Sequence, residues 1–430
     1  MNQYAMAPEY ASQFACIGPA CEESCCTGWT VPVDQASYER FEQLPPSALK
    51  TDLLSNIDLQ SAPSPHFAIL RQKEERRCSQ LTAGDLCQLH AAYGEAMLPA
   101  TCRQYPRYLQ TINGTTETSL ALSCPEAARL VLLHPDLLGQ SATHRNFTLE
   151  LTPDPQAESP LLEWARPTRA LVLWLIAERQ YPLWQRMFLL RILCHRLDAL
   201  SLSGREKRIP DLLVDFHARA RSGSLRPAMD RLPVNTETQL DAVLQLAGLL
   251  LSQSALSPRF LECVHAFTTG IGNGPGATLA SLSNGYDRAR AYWLNPFLAR
   301  YPHLLENWLS NAVLRHRFPF GTQTREAKQA DSLLERFEGL AANFALMRGL
   351  LTGVAGYHRE NFSAAHAVHT IQSASRHFEH HPEFVAKSRA LLHEAGLTDL
   401  QGISRLLHDE AIRIPTAEPQ PLHPTLAQAN

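Results

Sequence analysis

Ten cysteines in 430 residues is an ordinary number, but their placement is not. Eight of them, Cys16, Cys21, Cys25, Cys26, Cys78, Cys87, Cys102 and Cys124, fall in the first 124 residues, where an even spread would put about three. The other two, Cys194 and Cys263, lie in apolar surroundings and read as small buried hydrophobes. A reducing compartment keeps thiols free, so a dense group there points to metal ligation rather than to a disulfide framework. Soft thiolates suit zinc or an iron–sulfur cluster, and either is usually held by four cysteines or a cysteine–histidine mixture.

Spacing alone takes this no further. The pattern runs Cys16-x4-Cys21-x3-Cys25-Cys26, then Cys78-x8-Cys87-x14-Cys102-x21-Cys124, with no pair of CxxC knuckles and no ferredoxin spacing. Neighbouring Cys25 and Cys26 point different ways on any regular backbone, so they need not share one ion. Eight thiols also exceed what one tetrahedral ion or one four-iron cluster requires, which leaves some for structure or for a second site. His90, between Cys87 and Cys102, is a candidate mixed ligand. The group His366, His369, His377, His380 and His381 is a second candidate metal site, weighed against the plainer reading of solvated helix histidines.

The elements that must position these groups read as mainly α. Residues 1–150 form an irregular cysteine-cluster domain. Trp29–Val33, His66–Leu70 and Leu120–Leu122 are short strands or loops there, and Asn113-Gly114 is a turn former. Tyr38–Leu44 and Pro125–Leu133 read as helices, the second with a candidate cap at Ser123. A proline-rich polar stretch, Thr152–Pro160, leads into a larger all-helical domain over 151–414. Helices are expected at Leu171–Glu178, Trp184–Leu202, Leu240–Leu251, Ala330–Leu351 and Ser388–Leu392. Trp164, Trp174 and Trp184 read as core. The tail, 415–430, is expected to be disordered.

Composition narrows the function classes. A net charge of −3, from 39 basic and 42 acidic residues, argues against a nucleic-acid or anionic-membrane binder. The longest purely apolar run, Ala170–Ala177, has 8 residues against the about 20 that span a bilayer. Met1–Phe14 has neither a basic n-region nor an apolar h-region, so a cytoplasmic location is expected.

Taken together, the motifs resemble a known family. Cys21-x3-Cys25-Cys26-x-Gly28-Trp29 is followed by Asp34 and Tyr38. Then come Arg77-Cys78, Leu86-Cys87-Gln88-Leu89-His90, Thr101-Cys102-Arg103-Gln104-Tyr105-Pro106-Arg107 and Ser123-Cys124-Pro125-Glu126. On these blocks residues 1–130 resemble the flagellin lysine-N-methylase family, within a wider group of zinc- or iron-chelating cysteine-cluster proteins. Beyond them the likeness rests on length and helical character.

The resemblance implies a bacterial cytoplasmic enzyme that methylates flagellin lysines. It implies S-adenosylmethionine as donor and a [4Fe-4S] cluster on cysteines drawn from Cys16, Cys21, Cys25, Cys26, Cys78, Cys87, Cys102 and Cys124. Cys21, Cys25, Cys26 and Cys102 rank first, with Cys78 and Cys87 next. Beside Cys102, Arg103 is a candidate to hold a carboxylate or tune the cluster, and Tyr105 to contact the substrate amine. The plainer alternative gives them structural ion pairs and core packing.

An ordinary nucleotide-binding methyltransferase would show a glycine-rich strand-to-helix turn. The one glycine-rich segment, Gly270–Gly276, follows a helical stretch and reads better as a helix connection. Two rivals stand beside the methylase reading: a non-catalytic zinc-binding scaffold and an iron–sulfur electron relay.

Overall fold

Two apolar clusters organise the chain, and they do not follow its order. In a computed structural model the described residues are 9–409, apart from 62–63, 65, 113–114, 140–146, 156, 254–255, 322–330 and 380. The expected turn at Asn113-Gly114, His380 and the tail 415–430 lie outside them. The chain is 62% helical, about twice the share of an average globular domain, so the mainly α expectation holds.

The small cluster gathers side chains between Val31 and Leu98. Three short strands, β1 (Val31–Val33), β2 (Ile57–Leu59) and β3 (Ala68–Leu70), form an antiparallel sheet of order β1-β3-β2. Val31 pairs with Leu70 and Ile57 with the same Leu70, so alternate residues of each strand face one core. Helices α1 (Gln35–Glu42) and α2 (Ala48–Ser55) pack on it, capped by Asp34 and Ser47. Two short helices complete the unit, α3 (Gln88–Tyr93) and α4 (Ala100–Gln104).

Asp34 joins these pieces. Its carboxylate accepts from the Ser37 N–H at 2.9 Å and from the Ala100 N–H at 3.0 Å, tying the start of α1 to the start of α4. Burial opposes its charge, but the Ser37 hydroxyl, which donates to it at 2.6 Å, together with these N–H bonds wins and holds its pKa at about 2.

The large cluster unites the helical region with the early residues Tyr10 and Phe14 and with a hairpin, β4 (Arg107–Ile112) and β5 (Thr115–Leu120). Asn311 ties them together: Tyr10 donates to its Oδ1 at 2.8 Å, as does the Leu120 N–H at 3.1 Å, while its Nδ2 donates to the Leu120 carbonyl at 2.8 Å. Helix α5 (Pro125–Leu133) follows, with Cys124 rather than Ser123 as its N-cap.

Then come α6 (Ala165–Ala177), α7 (Leu183–Leu202), α8 (Ile209–Arg221), α9 (Thr236–Leu251), α10 (Pro258–Gly270), α11 (Leu279–Ala289) and α12 (Leu304–Arg315). The last four are α13 (Leu333–His358), α14 (Ala364–Phe378), α15 (Pro382–Glu394) and α16 (Leu400–Leu407). Helix α13 runs 26 residues, about 39 Å, through the middle of the helical core. Trp174 and Trp184 are buried in that core, as expected, and Trp164 packs against it.

The glycine-rich segment has a packing explanation. A Cβ on Gly270 would lie 1.8 Å from the Gly353 carbonyl, so α10 and α13 touch backbone to backbone there. It follows a helix, not a strand, as the reading of a helix connection requires. Among the described residues no helix is long and apolar enough to cross a membrane.

Candidate functional site

The loop Glu22–Trp29 is wound by its own short side chains. The Cys26 N–H donates to Ser24 Oγ at 3.3 Å, Thr27 Oγ1 to the Ser24 carbonyl at 3.2 Å, and Trp29 Nε1 to the Cys25 carbonyl at 2.6 Å. Gly28, at φ +88°, turns its N–H onto the Arg76 carbonyl at 3.0 Å. One step along, the Cys78 N–H donates to the Cys26 carbonyl at 2.9 Å, so two cysteine segments 52 residues apart run side by side. A further bridge sets Cys87 against Leu81, just after Cys78.

The eight thiols divide into two groups. Cys78 is buried in the small core, and Cys26, Cys87 and Cys102 are half-buried against it. Burial pushes the thiols of Cys78, Cys87 and Cys102 up, and the field of neighbouring cysteines adds to it. Cys26 is pushed up first by its contact with the Cys25 thiol, 4.0 Å away, and then by burial. Cys124 belongs to the large core, where burial takes it up to about 12 while the N–H groups at the start of α5 pull the other way. Cys124 feels Cys21, and Cys21 feels the exposed Cys16. Cys25 stands between the groups, exposed, with its pKa drawn down to about 7 by the Cys26 contact and by the nearby Arg376.

This donor set fits a thiolate cluster in kind: sulfur ligands in an apolar shell, with backbone N–H groups of Gln80, Leu89 and His90 facing the Cys78 and Cys87 thiols. Among the described residues no three Cys, His, Asp or Glu side chains stand close enough to hold a single ion. A four-iron cluster is larger than an ion and takes its thiolates from a wider circle. His90 is exposed on α3. His366 is spent otherwise: Nδ1 accepts from the Ser363 N–H at 3.2 Å in the capping box that starts α14, and its ring stacks on His358 at 3.8 Å.

Helix α14 grips both cysteine loops with residues spaced 4 and 3 apart on one face. Gln372 donates to Glu23 Oε2 at 2.7 Å and to the Ser123 carbonyl at 2.9 Å. Arg376 donates to the Ser24 carbonyl at 3.1 Å and to the Thr27 carbonyl and Oγ1 at 2.9 and 2.5 Å. Glu379, at the C-cap, accepts from the N–H groups of Leu122 and Ser123, both at 3.3 Å, with Arg315 at 3.2 Å. Nothing in the one-dimensional pattern of α14 announces this face, because its three residues pair with partners some 250 to 350 positions earlier.

Between the loops and these helices lies a cavity of about 1090 Å³. One wall is Glu22–Cys25, Thr27–Trp29, Arg76 and Arg77. A second is Gln104, Tyr105, Arg107, Tyr108 and Ser123. The third is Gln253, Ser257, Arg259, Arg376, His377 and His381 from the helical region. Tyr105 lines it, its hydroxyl 3.1 Å from Ser123 Oγ, and burial holds the phenol well above its usual pKa. Arg103 does not line it: the side chain is exposed and donates to the Ala96 carbonyl at 3.4 Å. Of the eight N-terminal cysteines, Cys25 alone is on the lining.

His377, buried under Phe260, is a neutral acceptor. Its Nε2 lies 3.3 Å from both the N–H and the Oγ of Ser257, and burial takes its pKa down to about 4.

Comparison with known proteins settles the family. The profile of the FliB lysine N-methylase C-terminal domain matches residues 169–406, more than half of the chain and nearly all of the helical region, including α14. The chain belongs to the FliB lysine N-methylase family. It is 27% identical over 135 residues to a lysine-N-methylase of Salmonella choleraesuis, covering 31% of this chain and 34% of that protein. To the flagellar biosynthetic protein FliU of Salmonella muenchen it is 27% identical over 132 residues, covering 30% of this chain and 78% of FliU. The match thus spans about a third of the length of the curated lysine-N-methylase. No solved structure matches. The FliB profile falls on the helical half, where the sequence motifs were silent, so both halves bear on the family.

Proposed function

We propose that this chain is a protein-lysine N-methyltransferase acting on flagellin, with S-adenosylmethionine as donor and a [4Fe-4S] cluster held by N-terminal cysteines. Cys26, Cys78, Cys87 and Cys102 are the first choice as ligands because they share one apolar shell. The observation that carries the reading is the seam: the loop that carries Cys25 and the family-matching helix α14 are bonded to each other and line one cavity together.

The donor would supply an electrophilic methyl on a sulfonium sulfur, and a cluster held by three of these four thiols would leave one iron to anchor the donor's amino and carboxylate groups. What the chain's own residues contribute is the acceptor. A lysine attacks through its lone pair, so its ammonium must first lose a proton.

Neither Tyr105 nor His377 has the strength for that: the phenol stays protonated, and an imidazole near 4 is a weak base. The cavity instead presents Arg76, Arg77, Arg107, Arg259 and Arg376 against Glu22, Glu23 and Asp85. Excess positive charge lowers the pKa of an entering ammonium, as neighbouring cations do for other catalytic lysines, so that its proton passes to solvent water before attack. The rings of Trp29, Tyr105 and Tyr108 line the same cavity and give the aliphatic stem an apolar surface.

The test is anaerobic purification followed by incubation with flagellin and S-adenosylmethionine. Near-equal iron and acid-labile sulfide, with methylene-sized mass increments on flagellin lysines, is the expected result. Zinc without sulfide and no increments would return the chain to the scaffold reading. Iron and sulfide without increments would favour the electron relay.

A further inference from the structure

The cavity is positive in a chain whose net charge is −3, and its three carboxylates are already taken. Glu22 pairs with Arg129 at 2.5 Å, outside the lining. Glu23 accepts from Gln372 at 2.7 Å with Arg376 at 3.5 Å and Arg259 at 3.7 Å. Asp85 pairs with Arg77 at 2.5 Å.

Two arginines of the wall are left with charge to offer. Arg76 is exposed and, among the described residues, makes no ion pair. Its φ of +55° is unusual for a side-chain-bearing residue, and strain of this kind gathers where a position has a task. Arg107 donates to the Phe14 carbonyl at 2.8 Å and lies over the Phe14 ring at 5.1 Å, contacts that orient it without neutralising it.

We propose that Arg76 and Arg107 recognise carboxylate side chains flanking the target lysine, so that the cavity selects lysines set in an acidic segment of polypeptide. This rests on the methylase reading and adds a specificity to it. A polypeptide partner is favoured over a nucleic acid for two reasons. The chain has no overall basic excess to track a phosphate backbone. The aromatic wall also suits an aliphatic stem. Acidic flanks serve the encounter and not the deprotonation: they bring a cationic residue to a cationic site, where direct charge attraction to the lysine itself is absent.

The experiment uses the cluster-loaded protein and three peptides with a central lysine flanked by aspartates, serines or arginines. Binding is read by fluorescence anisotropy and turnover by mass spectrometry. The expected order is aspartate above serine above arginine, in KM more than in kcat, and shrinking as salt rises. Arg76→Glu should raise KM for the aspartate peptide about fivefold, the scale of one partly exposed ion pair, and shrink its advantage in KM over the serine peptide by a similar factor.

Equal binding of all three peptides would overturn the inference, even if all are methylated. So would displacement of the aspartate peptide by a short single-stranded RNA at lower concentration. The expected binding order without methylation of any peptide or of flagellin would sink the methylase reading and keep the acidic-segment site.

Discussion

Arg376 donates to the carbonyl of Thr27 at 2.9 Å, joining residues 349 positions apart and fixing the loop that carries Cys25 and Cys26. Truncating Arg376 removes that bond together with those to the Ser24 carbonyl and Thr27 Oγ1. Arg376→Ala is therefore expected to lower stability by about 2–3 kcal/mol and to lose the proposed cluster, while far-ultraviolet circular dichroism stays helical. Arg376→Lys keeps the charge but not the fork, and should retain an intermediate metal content. Full metal loading of both variants would show that α14 does not hold the loop.

Glu379 offers a second grip on the same region. It satisfies two backbone N–H groups just before Cys124 and faces the buried Arg315. Glu379→Ala leaves that arginine without its carboxylate, and a loss of about 3–5 kcal/mol in urea unfolding is expected.

His377 makes stability depend on pH in a stated direction. Its pKa is about 4 folded and near 6.5 unfolded, so below 6.5 the unfolded chain takes up the proton first. The contribution, about 3 kcal/mol at the reference of 1.36 kcal/mol per pKa unit, is complete above pH 6.5 and is lost as pH falls toward 4. His377→Gln keeps an acceptor for the Ser257 N–H without the titration. Its unfolding midpoint should fall less between pH 6.5 and 4 than that of the unaltered protein.

The thiols give a slope of the same sign for loading of the proposed cluster. Those of Cys26, Cys78, Cys87 and Cys102 are pushed up in the free site, so ligation must release protons. Reconstitution with iron and sulfide should go further at pH 9 than at pH 7. Replacing Cys26 and Cys102 by serine should abolish it, while Cys263→Ala, buried in the helical region, should leave it unchanged.

Arg76 carries a cost that glycine would remove. Its φ of +55° is strained for any L side chain, by roughly 1–2 kcal/mol, so Arg76→Gly is expected to raise the melting temperature slightly. A lower melting temperature would mean that the side chain makes stabilising contacts of its own.

Much of this was legible in the residues. Helical periodicity found the helices better than their ends: Pro125–Leu133 is found as read and Trp184–Leu202 begins one residue earlier, but Leu171–Glu178 lies in a helix that starts at Ala165 and Ser388–Leu392 in one that starts at Pro382. The hairpin β4–β5 was not foreseen, because its strands lack the apolar alternation that identifies a half-buried strand. The cysteines announced a thiolate site but not its partition. Cys78 and Cys124 differ in which core swallows them, and that is set by long-range packing. Tyr105 and Arg103 are two residues apart on one motif, yet only Tyr105 reaches the cavity, because α4 ends between them. Arg376 and Gln372 were invisible for the same reason: their meaning lies in partners far away along the chain.

That distance has a consequence in time. A ribosome adding about 5–20 residues per second makes residue 376 roughly 20–70 s after residue 27. Until α14 emerges, Cys25 and Cys26 have no socket, and their thiols meet whatever oxidants or stray metals the surroundings contain. The last third of the chain therefore acts as the closing part of a container whose contents are specified at its beginning.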